Sequence, residues 1–303
     1  MNDVVLAVDL GGTNLRMSAV GSDGTIFSHA RTSTPKNATP EEFLGVMAGL
    51  ADECKAAAGS DKTVVGMGIG VPANFNTDGV LTHVTNIPSL TGMNLKSDLS
   101  AKFGVPVALE NDATAATIGE NWLGASKEVN DSIMLTLGTG VGGGIIIGNE
   151  PFRGIDGTAG RLGHITVEPE GHPCKCGNRG CIEQYASATA ILRMGREAGI
   201  DATTSYDVFK AAESGDERAK GVYQKSGYYL GIVLAGLTNA LNPERIVIGG
   251  GAAAGWDQFI GSLTTELTTR AFHEPVERAK LVRGTLADNA GILGAARSAF
   301  LAA

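Results

Sequence analysis

Three cysteines spaced C-x-C-x4-C, Cys174, Cys176 and Cys181, follow a histidine, His164, ten residues upstream. Thiolates and an imidazole at this spacing can supply a Cys₃His tetrahedron for zinc. Four protein ligands leave no open position, so such a site braces a loop and activates no water. The glycines at 177 and 180 suit the tight turns that a metal loop needs. Clustered cysteines in a chain with no secretory signal read as metal ligands before they read as disulfides. Cys54 lies apart from the cluster and is expected to be a buried small side chain.

The second chemistry is in the glycines, 43 of 303 residues with no collagen-like period. Asp9-Leu10-Gly11-Gly12-Thr13-Asn14 follows a short apolar run. Backbone N–H groups of residues without side chains can close on phosphate oxygens, and Thr13 adds a hydroxyl. Asp9, at the end of a buried strand, is a candidate to orient hydrated Mg²⁺. A second glycine run, Gly138-Thr139-Gly140-Val141-Gly142-Gly143-Gly144, also lies between two apolar runs, and Gly249-Gly250-Gly251 follows a third. Neither long run is a Walker A sequence, and a strand follows where a dinucleotide-binding turn would have a helix. Three such loops together suit the two phosphate loops and the adenosine loop of the actin-like ATPase fold.

The elements that must position these groups are legible as periodicity. Val4–Asp9, the run after Asn14 and residues 24–31 read as a β-meander. Thr39 to Ala58 reads as a helix with Thr39 as N-cap, Pro40 in the first position and Glu41 and Glu42 in the first turn. Strands are expected at 64–70 and 105–109. The latter ends in Glu110-Asn111-Asp112, where Asn111 or Asp112 caps a helix running to about Trp122. The pattern then restarts, with a strand at 132–137, the run GTGVGGG as a turn, and a strand at 145–147. We read this as a duplicated β-meander core. Residues 150–185 are loop-rich and 187–240 mainly helical. A strand at 246–248, a helix at 256–272, a strand at 281–283 and a helix at 289–300 complete the chain.

Composition sets the outer limits. Apolar residues make up 43%, charged residues 18%, and the mean hydropathy is +0.06, values of a folded globular chain. The net charge is −8, which disfavours nucleic acid and anionic lipid as partners. The N-terminal MNDVVLAVDLGG lacks a basic n-region, and no apolar stretch is long enough to span a bilayer. A cytoplasmic protein without a membrane partner is expected.

With these loops in place the chain resembles the ROK family of sugar kinases over essentially its whole length, from Asp9-Leu-Gly-Gly-Thr-Asn14 to Gly249-Gly250-Gly251. The most specific part is Gly163-His164 followed by Cys174-Lys-Cys176-Gly-Asn-Arg-Gly-Cys181-Ile-Glu183. The resemblance implies an α/β fold of two domains, the actin-like ATPase (ribonuclease H-like) type, with an interdomain cleft where ATP and sugar meet. We expect residues 1–112 plus 288–303 in the smaller N-terminal domain and 113–287 in the larger one with the zinc and adenosine loops. The implied reaction is Mg·ATP-dependent phosphorylation of a hexose, foremost glucose to glucose 6-phosphate. Alternatives are a kinase for N-acetylmannosamine, N-acetylglucosamine, fructose or allose. From another class comes a sugar-sensing regulatory protein without turnover. Repressors of the family carry a winged helix-turn-helix before the kinase core, and an opening phosphate loop at Asp9 argues against that branch. Polyphosphate is disfavoured as donor because family members that use it generally lack the cysteine motif.

Residue roles follow from the same resemblance. Asp112 is the implied general base, and Asn111 binds a neighbouring hydroxyl. Asn86 is a further sugar-loop candidate, and Asn74 a weaker one. His164 is expected to give one ring nitrogen to zinc and the other to a sugar hydroxyl, with Glu183 a further hydroxyl acceptor. Gly11, Gly12, Thr13, Gly138, Thr139, Gly140 and Gly249–Gly251 are expected on the nucleotide, and a homodimer is implied. One position departs from the pattern. The family usually has glutamate two residues before Gly-His, and here it is Arg161. A guanidinium donates hydrogen bonds and accepts none, so a hydroxyl there must reverse its role.

Overall fold

The computed structural model describes residues 2–84 and 87–303, and Asn86 lies outside them. In chain order the elements are β1 (Asp3–Leu10), β2 (Asn14–Gly21), β3 (Ile26–Ser33), α1 (Pro40–Ala58), β4 (Thr63–Val71), β5 (Ala73–Phe75), β6 (Leu81–Val84), α2 (Leu95–Phe103), β7 (Val107–Asn111) and α3 (Asp112–Leu123). There follow β8 (Ser132–Leu137), β9 (Val141–Ile147), β10 (Glu150–Pro151), α4 (Glu183–Ala186), α5 (Ala188–Glu197), α6 (Ser205–Glu213) and α7 (Glu217–Leu241). The chain closes with β11 (Arg245–Gly249), α8 (Trp256–Arg270), α9 (His273–Arg278), β12 (Lys280–Arg283) and α10 (Ala290–Ala302).

Two five-stranded sheets have the orders β3-β2-β1-β4-β7 and β10-β9-β8-β11-β12. In the first, β1, β2 and β3 form an antiparallel meander, and β4 and β7 add in parallel beside β1. In the second, β11 lies parallel to both β8 and β12. Strand for strand the two orders match, with β1 answering to β8, β4 to β11 and β7 to β12. This is the duplicated core that the glycine turns suggest.

The chain divides into two compact units, one of residues 1–128, 144–160 and 288–303, the other of 129–143 and 161–287. The sequence reading puts residues 113–128 and 144–160 with the second domain, whereas they cluster with the first. The reason lies in α3 and α10, which pack backbone to backbone. A Cβ on Gly294 would overlap the carbonyl of Ala115, and one on Gly119 would overlap that of Ala290. Helix α10 also covers β4, where Gly68 gives the same clearance under the carbonyl of Ala295. Glycine's loss of backbone freedom costs something like 0.5–1 kcal/mol here, offset by the close packing it permits.

The first unit's core holds Leu6, Val8, Met17, Phe43, Met47, Met67 and Ile69, all fully or nearly fully buried. Each such side chain contributes about 1.5–3 kcal/mol by leaving water. Helix α1 begins as the sequence indicates: the Thr39 hydroxyl accepts the Glu42 N–H and the Glu42 carboxylate accepts that of Thr39. Cys54 is fully buried on this helix and donates to the carbonyl of Met17. In the second unit α7 and α8 pack closely, with Gly227 and Gly231 of α7 lying against the backbone of α8. The β5–β6 hairpin and α2 carry no strong periodic signal and are additions to the reading from sequence.

One expected turn is shorter than its glycines suggest. Only residues 138–140 form it, closed by the Gly138 N–H on the carbonyl of Gly140 (2.9 Å). Val141 to Gly144 are already β9. Glycines 143 and 144 serve contact here rather than turning, because Cβ atoms would collide with Leu162 and Thr117 respectively.

Candidate functional site

In the first unit, the parallel strands β1, β4 and β7 end level with one another: Asp9 is in register with Gly70, and Gly70 with Glu110. Asp9 and the start of α3 are two strands apart, about 10 Å at a strand spacing of about 4.8 Å. This carboxyl edge is where open α/β sheets bind ligands. The first glycine turn is closed by Gly11 N–H on Asn14 O (2.9 Å) and tied to the chain after β3 by Thr34, whose hydroxyl donates to Gly11 O (2.7 Å).

Asn111 is the N-cap of α3. Its Oδ1 accepts the Ala113 N–H (3.2 Å) and its Nδ2 donates to Val71 O (3.4 Å). Asp112 is the first residue of the helix proper and its Oδ1 accepts the same N–H (2.9 Å). The sequence leaves open which of the two is the cap, and the structure assigns it to Asn111.

Two arginines of this unit were not singled out from sequence. Arg16 pairs across β1–β2 with Asp9, and its Nε (3.1 Å) and Nη2 both reach the same oxygen, Oδ2. Arg16 thus leaves Asp9 Oδ1 unengaged by its guanidinium. Arg153 holds the buried Glu110 carboxylate through Nε (3.3 Å) and Nη2, and the Ser298 hydroxyl donates to the same group (3.0 Å). The strand register alone could have disclosed Arg16, which directly faces Asp9. Arg153 is forty-three residues from its partner, beyond any local pattern.

In the second unit, β8 and β11 are adjacent and parallel, and each ends in a glycine loop. Gly250 has φ 87° and lies so near Leu137 that any Cβ would overlap the backbone. Beside the two loops is a cavity of about 270 Å³ lined by Gly138, Thr139, Ala188, Ile191, Tyr206, Phe209, Tyr223 and Gly251, among others. Its walls are aromatic and aliphatic, suited to a flat heterocycle. Tyr206 and Phe209 are three apart on α6 and so share a face, a signal present in the sequence and overlooked there.

The four expected metal ligands converge. A ring nitrogen of His164 and the sulfurs of Cys174, Cys176 and Cys181 all lie within 4.8 Å of one another. Cys176 and Cys181 sulfurs are 3.6 Å apart, and Cys174 Sγ is 3.7 Å from His164 Nδ1. Tetrahedral zinc with bonds of about 2.3 Å gives ligand edges of about 3.8 Å, so the set fits that ion. Burial pushes the Cys176 thiol up, but hydrogen bonds from the Asn178 backbone, Cys174 and Cys181 outweigh it and leave the thiol below its ordinary value. Burial, then its bonds to Cys176 and Cys174, push Cys181 up to about 12. A dication held by these sulfurs would favour their thiolate forms. Glycine 180 has φ 67° and sits on the carbonyl of Glu168, closing the metal loop.

Glu183 contacts the turn before β9 and faces the cysteine cluster. Its Oε2 accepts the Val141 N–H (3.0 Å), and its Oε1 is 4.0 Å from Cys174 Sγ. Arg161 precedes the 3₁₀ turn that carries His164, and its carbonyl accepts the His164 N–H (3.0 Å). Asn74 lies on β5. Among the described residues no helix is long and apolar enough to cross a membrane.

The ROK family profile matches residues 5–300. The chain is 35% identical to a glucokinase of Halalkalibacterium halodurans, covering 95% of this chain and 92% of that one. It is 33% identical to the xylose repressor of Bacillus subtilis over 76% of this chain and 60% of that protein. The crystal structure of a ROK family glucokinase from Streptomyces griseus in complex with glucose and AMPPNP superposes with a TM-score of 0.81 at 31% identity, covering 98% and 99% of the two chains. A profile match from the first strand to the last helix, on a sheet order repeated twice with glycine loops at equivalent strand ends, establishes that this chain belongs to the ROK family.

Proposed function

We propose that this protein transfers the γ-phosphoryl group of ATP to a hydroxyl of a hexose, converting glucose to glucose 6-phosphate. The observation that carries the reading is the pairing of two glycine loops with an aromatic cavity at the ends of β8 and β11, a donor site by its chemistry. Likeness to the Streptomyces griseus glucokinase with glucose and AMPPNP supports the acceptor.

In this reading the backbone of Gly138–Gly140 and Gly11–Thr13 receives phosphate oxygens, and the base lies in the cavity that Tyr206 and Phe209 line. Asp9 orients hydrated Mg²⁺ through the oxygen that Arg16 leaves open. Asp112 accepts the proton of the attacking hydroxyl while Asn111 fixes a neighbouring one. His164 offers Nε2 to the sugar, its tautomer set by Nδ1 on the metal side. Zinc, held by His164, Cys174, Cys176 and Cys181, would supply a closed structural tetrahedron. We also read the protein as a cytoplasmic homodimer, and its net charge of −8 supports the absence of a nucleic-acid partner.

The test is a coupled ADP-release screen with glucose, mannose, fructose, allose and the N-acetyl sugars. Release with glucose at the highest kcat/KM is expected. Preference for an N-acetyl sugar, fructose or allose would reassign the acceptor, with Arg161 the first residue to examine. Release with none would put a sugar-sensing regulator in place of the enzyme, a role with a precedent in the xylose repressor similarity.

A further inference from the structure

The segment that follows the last metal ligand runs directly along the donor loop. Two residues after Cys181, the Glu183 carboxylate accepts the Val141 N–H (3.0 Å). The Ala188 N–H then donates to Gly138 O (2.8 Å), and the Thr189 hydroxyl to Thr139 O (2.8 Å). The loop 138–141 is thus gripped at three of its four residues by residues 183–189. On its other side, Gly163, next to the ligand His164, sits on the carbonyl of Val141 so closely that a Cβ would overlap it. Glu183 is the one member of this bracket that also faces the thiols, with Oε1 4.0 Å from Cys174 Sγ. Gly140 is kept bare by the same carboxylate, since a Cβ there would overlap Oε2.

We propose that Glu183 is a positioning residue for the phosphoryl donor: it fixes the 138–141 loop in its phosphate-receiving shape and ties that shape to the cysteine–histidine centre. The metal loop then governs nucleotide binding as well as the sugar side. The inference rests on reading 138–140 as a donor loop. It adds to the expectation that Glu183 is a further acceptor for a sugar hydroxyl.

The experiment measures AMPPNP·Mg²⁺ binding by calorimetry with no sugar present, and glucose binding with no nucleotide present. It uses zinc-loaded wild type, Glu183→Ala, Glu183→Gln and Gly140→Ala. Zinc content and far-UV circular dichroism are recorded for each. A hydrogen bond to a charged group is worth roughly a tenfold to hundredfold change in binding. Glu183→Ala is expected to keep one zinc per chain and to weaken AMPPNP by that factor. Glu183→Gln keeps an oxygen for the Val141 N–H and should lose less than about tenfold. Gly140→Ala should weaken AMPPNP while retaining the carboxylate. Chelating zinc should weaken AMPPNP in wild type and add nothing further in Glu183→Ala, the non-additivity of coupled groups.

An AMPPNP affinity in Glu183→Ala within twofold of wild type overturns the proposal, as does an equal effect of chelation in both proteins. If glucose binding alone is lost, Glu183 is a sugar group and the kinase reading stands without the inference. If wild type itself binds no AMPPNP, the donor-loop reading has failed instead.

Discussion

Replacing Asp112 by asparagine tests the proposed general base while leaving the α3 cap at Asn111 in place. Asn111 already caps α3, and the Ala113 N–H has two acceptors, Asn111 Oδ1 at 3.2 Å and Asp112 Oδ1 at 2.9 Å. Asparagine keeps an oxygen where Oδ1 stands, so the weakening of that shared hydrogen bond costs under about 1 kcal/mol. For a protein of this size that lowers Tm by at most about 4 °C. The catalytic cost has a different scale. An amide cannot take the hydroxyl proton, and loss of a general base removes about 10²–10⁴-fold in rate. The assay is steady-state ADP release at saturating glucose and ATP, with thermal melts on the same preparations. The expected result is kcat down by at least a hundredfold, Tm within about 4 °C and AMPPNP affinity unchanged. A kcat within fivefold of wild type refutes the base assignment. A Tm lower by more than about 8 °C would show instead that the carboxylate belongs to the fold.

Phe209→Ala should raise KM for ATP several-fold with KM for glucose unchanged, because its ring lines the cavity beside Gly138 and Gly251; initial-rate kinetics in both substrates decide it. Gly294→Val should destabilise by more than about 3 kcal/mol or prevent folding, since even a Cβ overlaps the Ala115 carbonyl; a denaturant titration reads this, and a midpoint near wild type would refute the packing. Asp207 is held at about 2, below the ordinary 3.8, first by the Thr204 backbone N–H and then by the Thr203 hydroxyl. A lowered carboxyl contributes stability that is complete above pH ~4 and is lost as pH falls toward ~2. Tm of Asp207→Asn should therefore decline less steeply than wild type across that window.

The helices and strands were legible where one period ran long enough. Thr39 and Glu42 announce α1 by a capping box, and the alternation of apolar runs with glycine turns gives both sheets their opening strands. The clustering of His164 with Cys174, Cys176 and Cys181 is legible because chemistry dictates their spacing locally. What escaped are pairs joined only by the fold. Arg153 and Ser298 both reach the Glu110 carboxylate, from chain segments far apart in sequence. Glu183 was recognised as a site residue, but its bond to Val141 depends on a segment forty-two residues away. Glycines 143 and 144 misled for a related reason. A glycine is required equally by a turn and by a neighbour pressing on a strand, and sequence shows only that the side chain is missing.

The interleaving of the first unit has a consequence for the order in which the protein can be made. Helix α10 fills the strip of β4 and α3 left bare by Gly68 and Gly119, yet it follows the whole of the second unit in the chain. On the ribosome the second unit is therefore complete while the first still exposes an apolar groove. Nascent chains arrested after residue 287 and released by a long linker should present a protease-resistant second unit and a protease-sensitive first one. Equal resistance of both would show that the earlier segments hold without their last helix. A chaperone that shields that groove during synthesis would act on the oldest part of the chain, waiting for the newest.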